Sequence, residues 1–322
     1  MKNIDVSIVI VNYKTPVLLK KCVGSILQFT KGLTFEIIIV DNDSQDDSQD
    51  QLVDFIGEFD WIDSGGNIGF GRANNIGIGR AKGEVVLLLN SDVELYENSI
   101  EKSYNHYKEL DKTNKVGLLG CKILYEDGRL QPSCNYWKPS LRELVESNAL
   151  YLYVWKRIFK GKILHDIDKY SRLNENHEIV HLGVPFALVN RALITENMFD
   201  PSYFMYFEDT DLNERLTKSG CKHFYFHETA VYHLIGASST GSYKRDRQIF
   251  ASRLLYILKT YSKLYYKIFI LLSRFNLAID LYFDKKNEVL NRNKSWLLTY
   301  SKVVSKIENS NDSLNTYGDP VI

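Results

Sequence analysis

The chain has 322 residues, 44% hydrophobic and 25% charged, with forty Lys and Arg against forty Asp and Glu. That is an ordinary globular composition with room for one domain plus an extension, or for two, and its zero formal charge argues against nucleic acid as the main partner. The four cysteines, Cys22, Cys121, Cys134 and Cys221, form no C-x-x-C pair, so neither a zinc cluster nor a disulfide framework is indicated and a reduced, cytosolic protein fits best.

The first apolar run, Val6 to Val11, is too short for a signal peptide and reads as a strand. Pro16 to Phe29 carries apolar residues at Val17, Leu18, Val23, Ile26 and Leu27 behind a proline suited to a first helical turn. Glu36 to Val40 and Glu84 to Leu89 are again short, without alternation, as strands buried on both faces are. The result is a β-α-β unit whose right-handed crossover makes its strands parallel. All three strands end in polar residues: Asn12-Tyr13, Asp41-Asn42-Asp43-Ser44 and Asn90-Ser91-Asp92. Open α/β sheets bind ligands at such carboxyl ends. Gly65 to Gly77 is a glycine-rich loop running into a helix, Val180 to Asn190 reads as a further strand, and Met205-Tyr206-Phe207-Glu208-Asp209-Thr210-Asp211-Leu212 gathers three carboxylates beside aromatic rings.

From Lys244 to Lys306 there are fourteen Lys and Arg against four Asp and Glu, a net of +10, which leaves −10 for the remainder. Leu264 to Phe283 approaches membrane-spanning length, but Lys267, Arg274 and Asp280 interrupt it, so an interfacial helix is expected. The predicted organisation is a catalytic-type α/β domain over 1–242, a basic amphipathic helical extension over 243–308 and a polar, disordered tail over 309–322.

Asp41 ends a strand where nucleotide-binding folds place an acid for ribose hydroxyls or a base N–H; an Asx turn or helix cap is the structural alternative. The loop around Asn67, Gly69, Arg72 and Asn75 offers backbone N–H groups to phosphate. It lacks the third glycine of a dinucleotide fingerprint and the Gly-Lys-Ser/Thr of a Walker loop. Asp92 presents a hard oxygen to a divalent cation, with diphosphate oxygens and water completing the shell for magnesium and the His233 imidazole better suited to manganese. Among Glu208, Asp209 and Asp211, burial by aromatic side chains and like-charge repulsion raise carboxyl pKa values toward those of a general base. The competing reading is an acidic helix start. Asp211, which precedes Leu212-Asn213-Glu214-Arg215-Leu216, is expected to be structural.

Asn12-Tyr13, Val40-Asp41-Asn42, the Asn67-to-Gly77 loop, Asn90-Ser91-Asp92, Glu208-Asp209-Thr210-Asp211-Leu212 and His233, taken in order, resemble family 2 glycosyltransferases of the rhamnosyltransferase-like group over about residues 4 to 240. The resemblance implies a GT-A fold: a Rossmann-like, mostly parallel central sheet flanked by helices. It implies inverting displacement at the anomeric carbon of a nucleotide-diphosphate sugar, with a saccharide or lipid-linked saccharide as acceptor, in bacterial surface polysaccharide synthesis. Asp41 then reads the base or ribose, and Tyr13, Asn67, Gly69, Arg72, Asn75 and Asn90 line the nucleotide-sugar pocket. Asp92 and His233 carry a magnesium or manganese ion, and Asp209 takes the acceptor proton, with Glu208 as the alternative base. The chain departs from the family's Asp-x-Asp at Asn90-Ser91-Asp92 and from its acceptor-side Gly-Ala pair at Val184-Pro185-Phe186-Ala187. A nucleotidyltransferase, the second enzyme class considered, needs a basic glycine-rich loop after strand one, which Val11-Asn12-Tyr13-Lys14-Thr15-Pro16 is not. The non-catalytic alternative is a sugar-nucleotide or lipid-binding protein of the same fold. The basic extension, with Tyr256, Tyr261, Tyr265, Tyr266, Phe269, Phe275, Tyr282 and Phe283, is expected at an anionic membrane surface, which puts the protein at the inner face of the cytoplasmic membrane. Packing on the acidic remainder, or homo-oligomerisation through these helices, are its other readings.

Overall fold

The structure, a computed structural model, describes residues 3–135, 138–141, 172–195, 197–234, 243–283 and 302–307. The expected tail at 309–322 lies outside the described residues. The chain divides into two compact units. Described residues 3–135, 172–195, 197–201 and 208–234 belong to the first, and 138–141, 202–207, 243–283 and 302–307 to the second.

The first unit begins with β1 (Val6–Asn12), α1 (Pro16–Phe29), β2 (Phe35–Asp41), a 3-10 turn, β3 (Asp60–Asp63), α2 (Phe70–Arg80) and β4 (Val85–Asn90). It continues through β5 (Val93–Glu94), α3 (Ser99–Asp111), β6 (Val116–Leu124), β7 (Leu130–Gln131) and β8 (Cys134–Asn135). The remaining elements are β9 (His177–Ile179), β10 (His181–Leu182), β11 (Phe186–Asn190), α4 (Glu208–Lys218) and β12 (Lys222–His233). The main sheet runs β3-β2-β1-β4-β11-β6-β12-β5, with β7 on β6 and β9 on β12, while β8 and β10 form a separate pair. This is a mixed α/β fold with its sheet between helices.

β1 shows why these runs become central strands. Val6, Ile8 and Ile10 pack into the cluster of Leu19, Val23 and Ile26 from α1, while Val9, on the other face, joins Ile78 of α2. Every residue of the strand is buried, and each large aliphatic side chain so removed from water is worth about 1.5–3 kcal/mol. Helix α2 approaches this sheet closely because position 77 is glycine: a Cβ there would lie 2.5 Å from Val9 Cγ1 and 3.1 Å from Val40 Cγ2.

The expected strand over 180–190 is broken. Its first residues form β10, which pairs with β8, and the chain then bends at 183–185 into β11. β11 enters the main sheet antiparallel to β4, with Phe186 opposite Leu89. Its start therefore lies at the carboxyl end of β4, where Asn90 N donates to the Pro185 carbonyl at 3.0 Å.

The second unit contains α5 (Tyr243–Thr260) and α6 (Lys263–Phe283). Its core joins Tyr203, Leu254, Tyr256, Ile257, Tyr266, Phe269 and Val303. Of the extension's aromatic rings, Phe275 is 58% exposed, while Tyr256, Tyr266 and Phe269 are 0%, 3% and 0% exposed. The latter three are needed to close the unit's own core. No described helix is long and apolar enough to cross a membrane.

Candidate active site

The carboxyl ends of β1, β2 and β4 are tied together by polar side chains that the strands bring to one edge. The fully buried Asn12 donates from Nδ2 to Asp41 Oδ1 at 2.8 Å and to Ser44 Oγ at 2.9 Å. Its Oδ1 accepts from Thr15 Oγ1 at 2.8 Å, and Thr15 Oγ1 lies 2.9 Å from Ser91 Oγ on the β4 side. Ser44 also donates to Asp41 Oδ1, through Oγ at 2.5 Å, and to Oδ2, through its backbone N–H at 3.1 Å. Asp41 is thus fixed in orientation. Lys14, Asp43 and Gln45, in the loops after β1 and β2, adopt left-handed backbone (φ 57, 67 and 52°), a conformation that costs non-glycine residues energy and clusters at functional sites. A polar cavity of about 240 Å³ opens here, lined by Asp41, Asp43, Asp46 and Asp63 with the Trp61 ring. Tyr13, 37% exposed, stands at the end of β1 with Lys14 Nζ 5.3 Å from its ring centre.

The glycine-rich loop is organised from β2. Asn42 donates from Nδ2 to Asn67 Oδ1 at 3.0 Å and accepts the Ile68 N–H at 3.0 Å. Gly69, at φ 91°, turns the chain into α2, in a region open to glycine and costly to other residues. Arg72 and Asn75 bond the chain ahead of α4: Arg72 Nε donates to the Pro201 carbonyl at 2.9 Å, and Asn75 both donates to the Phe199 carbonyl at 2.7 Å and accepts its N–H at 2.9 Å.

Asp92 and His233, 141 residues apart in sequence, meet because β5 pairs with β12, with His233 opposite Val93. His233 Nε2 lies 3.0 Å from Asp92 Oδ1, and Asn90 Nδ2 lies 3.4 Å from the same nitrogen. The Gln131 amide flanks the other ring nitrogen, Nδ1, at 3.1 Å. An amide there can donate to or accept from Nδ1, so it suits either tautomer, including the one that leaves the Nε2 lone pair to a cation. The Asn90 Oδ1 atom is buried with no hydrogen-bond partner. A carboxylate and an imidazole are a donor pair that fits a divalent cation completing its shell from substrate oxygens and water. Among the described residues no three His, Cys, Asp or Glu side chains gather for a metal.

Helix α4 begins at Glu208, so the acids do stand in a first helical turn. Two consecutive left-handed residues, Tyr206 and Phe207 (φ 67 and 66°), lead into it. Asp211 pairs with Arg215 at 2.7 Å one turn on. Glu208 is buried at 6% exposure with Oε2 unpartnered. Burial, then the Asp209 charge, push its carboxyl up to about 8. Asp209 is raised as well, by burial, against the lowering effect of Thr210, whose N–H donates to Oδ1 at 2.7 Å. Burial thus raises both carboxyls of this coupled pair, the direction a general base near neutral pH needs. Gly183 borders the Asp209 carboxyl: a Cβ there would stand in ordinary contact with Asp209 Oδ2, at 4.0 Å. Gly183 is two residues before Pro185, which bonds Asn90. Asp209 therefore belongs to the same sheet edge as Asp92 and Asp41.

Sequence reasoning missed Gln131, which stands on a two-residue strand with no local signature, and the organising roles of Asn12, Ser44 and Asn42. The polar clustering at strand ends was their only signal.

Residues 7–194 match the family model described as Glycosyl transferase family 2. Two crystal structures of S. aureus TarS residues 1–349 are similar in fold. The complex with UDP-GlcNAc has a TM-score of 0.53 at 14% identity, over 94% of this chain and 83% of that one. The complex with UDP has a TM-score of 0.52 at 15% identity, over 95% and 81%. A search of curated protein sequences finds no match.

Proposed function

This chain belongs to glycosyl transferase family 2, and from that premise we propose that it transfers a hexose or rhamnose with inversion from a nucleotide-diphosphate donor to a saccharide or lipid-linked saccharide in bacterial surface polysaccharide assembly. The observation that carries this reading is the gathering of Asp41, Asp92 with His233, and the Glu208–Asp209 pair at one sheet edge.

The acid-lined cavity beside Trp61 suits the nucleoside, whose ribose hydroxyls and base N–H are donors, and repels a diphosphate. The diphosphate is then directed to Asn90, Asp92 and His233. Asp92 and His233, with Asn90 beside them, would hold a divalent cation, which when bound supplies the counter-charge for the departing diphosphate. Asp209 accepts the acceptor hydroxyl proton as the new C–O bond forms at the anomeric carbon and the bond to the diphosphate oxygen breaks. Glu208, its carboxyl pushed up by burial beside Asp209, is the alternative base. TarS, alike in fold, has been crystallised with UDP and UDP-GlcNAc, so uridine diphosphate sugars are the first donors to test.

A thermal-shift panel of nucleotide-diphosphate sugars, with and without manganese, tests the reading. A ligand bound only by the folded state raises its apparent melting temperature, and the true donor is expected to do so and to release nucleoside diphosphate on incubation. A panel in which no nucleotide sugar shifts the melt contradicts it.

A further inference from the structure

Helix α6 is two-sided. One face, with Tyr266, Phe269 and Ser273, is buried in the core of its own unit. Leu264, Ile268, Leu271 and Phe275 are 69%, 39%, 68% and 58% exposed. Spaced by four, three and four residues, they fall within roughly 60° of the helix circumference. They form a continuous apolar stripe, the kind of exposed surface that marks an interaction site. Lys263, Lys267 and Arg274 are exposed along one edge of it, and no aspartate or glutamate occupies a described exposed position of the helix.

We propose that this stripe docks on an anionic phospholipid surface, the apolar side chains entering the headgroup boundary and the cations meeting lipid phosphates. Charge complementarity selects this occupant. Two copies of the helix packed antiparallel by the stripe would set each basic edge against its equivalent, and packed parallel they would offer Lys263 and Lys267 no acid among the described exposed positions. An anionic interface satisfies both features of the stripe at once, and no described helix has the length and apolarity to cross instead.

Co-sedimentation of the full chain with vesicles of phosphatidylcholine alone, or with about one third phosphatidylglycerol, tests this without using catalysis, so it and the transferase reading can fail separately. The chain is expected to bind the anionic vesicles selectively and to be released by high salt. Leu271→Glu with Phe275→Glu should lower the bound fraction about ten-fold or more, with an unchanged melting temperature because both side chains are exposed. Lys263→Glu with Lys267→Glu should lower it on anionic vesicles as well. Binding that survives both pairs of substitutions, or no binding at low salt, overturns the proposal. So does a concentration-dependent dimer in sedimentation velocity that Leu271→Glu dissolves, which would make the stripe a self-association face.

Discussion

Asn213 grips the backbone of Leu182 with both ends of its side-chain amide, donating from Nδ2 to the Leu182 carbonyl and accepting the Leu182 N–H at Oδ1, each at 2.9 Å. The same Nδ2 donates to the Asp209 carbonyl at 2.7 Å. The first turn of α4 is thereby fastened to β10, one residue before the Gly183 that borders the Asp209 carboxylate. Asn213→Ala leaves two buried backbone groups unpaired, so stability should fall by about 1–3 kcal/mol in urea unfolding. Turnover should fall about ten-fold or more with donor KM little changed, because displacement of a base by an ångström can cost up to ~10² in rate. Equal losses in kcat and donor affinity would contradict a positioning role.

Glu208 also sets a pH dependence. Its carboxyl is near 4.5 in the unfolded chain and about 8 in the fold, so between those values the folded state binds the extra proton. Stability that is full below about 4.5 is then lost as pH rises toward about 8. Glu208→Gln, which cannot ionise, should flatten this slope and melt higher than the parent at pH 8, with the gap closing below pH 4.5. Parallel melting curves for the two proteins across that window would contradict it.

Asp41 should carry much of the nucleoside affinity. A charged hydrogen bond is worth about 1.5–3 kcal/mol, so Asp41→Ala is expected to weaken nucleoside diphosphate binding by roughly ten- to a hundred-fold in titration calorimetry. Unchanged affinity in a folded variant would assign the base and ribose elsewhere.

Chelation addresses the Asp92–His233 pair. Excess EDTA should abolish turnover, and manganese or magnesium should restore it. His233→Ala should raise the metal concentration needed for half-activity. Full activity in excess EDTA would transfer charge neutralisation to Arg or Lys side chains.

The parallel half of the sheet was legible in the sequence because β1, β2 and β4 are buried on both faces, leaving only apolar residues between polar ends. Asp41, Asp92 and Asp209 were legible as strand-end or helix-start acids. β11 was not placed, since no local pattern states that a strand runs antiparallel between two others, and with it went the adjacency of Gly183 and Asp209. Gln131 and Asn213 were hidden for the same reason: each acts through a contact made by long-range pairing. On α6 the amphipathic pattern was visible, but which face packs inward is decided by the unit's core, which takes Tyr266 and Phe269 and leaves Leu264, Leu271 and Phe275 outside.

The central claim, that Asp209 is the base of an inverting sugar transfer, is tested most directly by single-turnover transfer from the donor found by thermal shift, comparing the parent chain with Asp209→Asn. Normal donor binding and a loss of roughly 10²–10⁴ in the transfer rate are expected, with the parent's product carrying the opposite anomeric configuration by NMR. Near-parental transfer by Asp209→Asn, or a product of retained configuration, would contradict it.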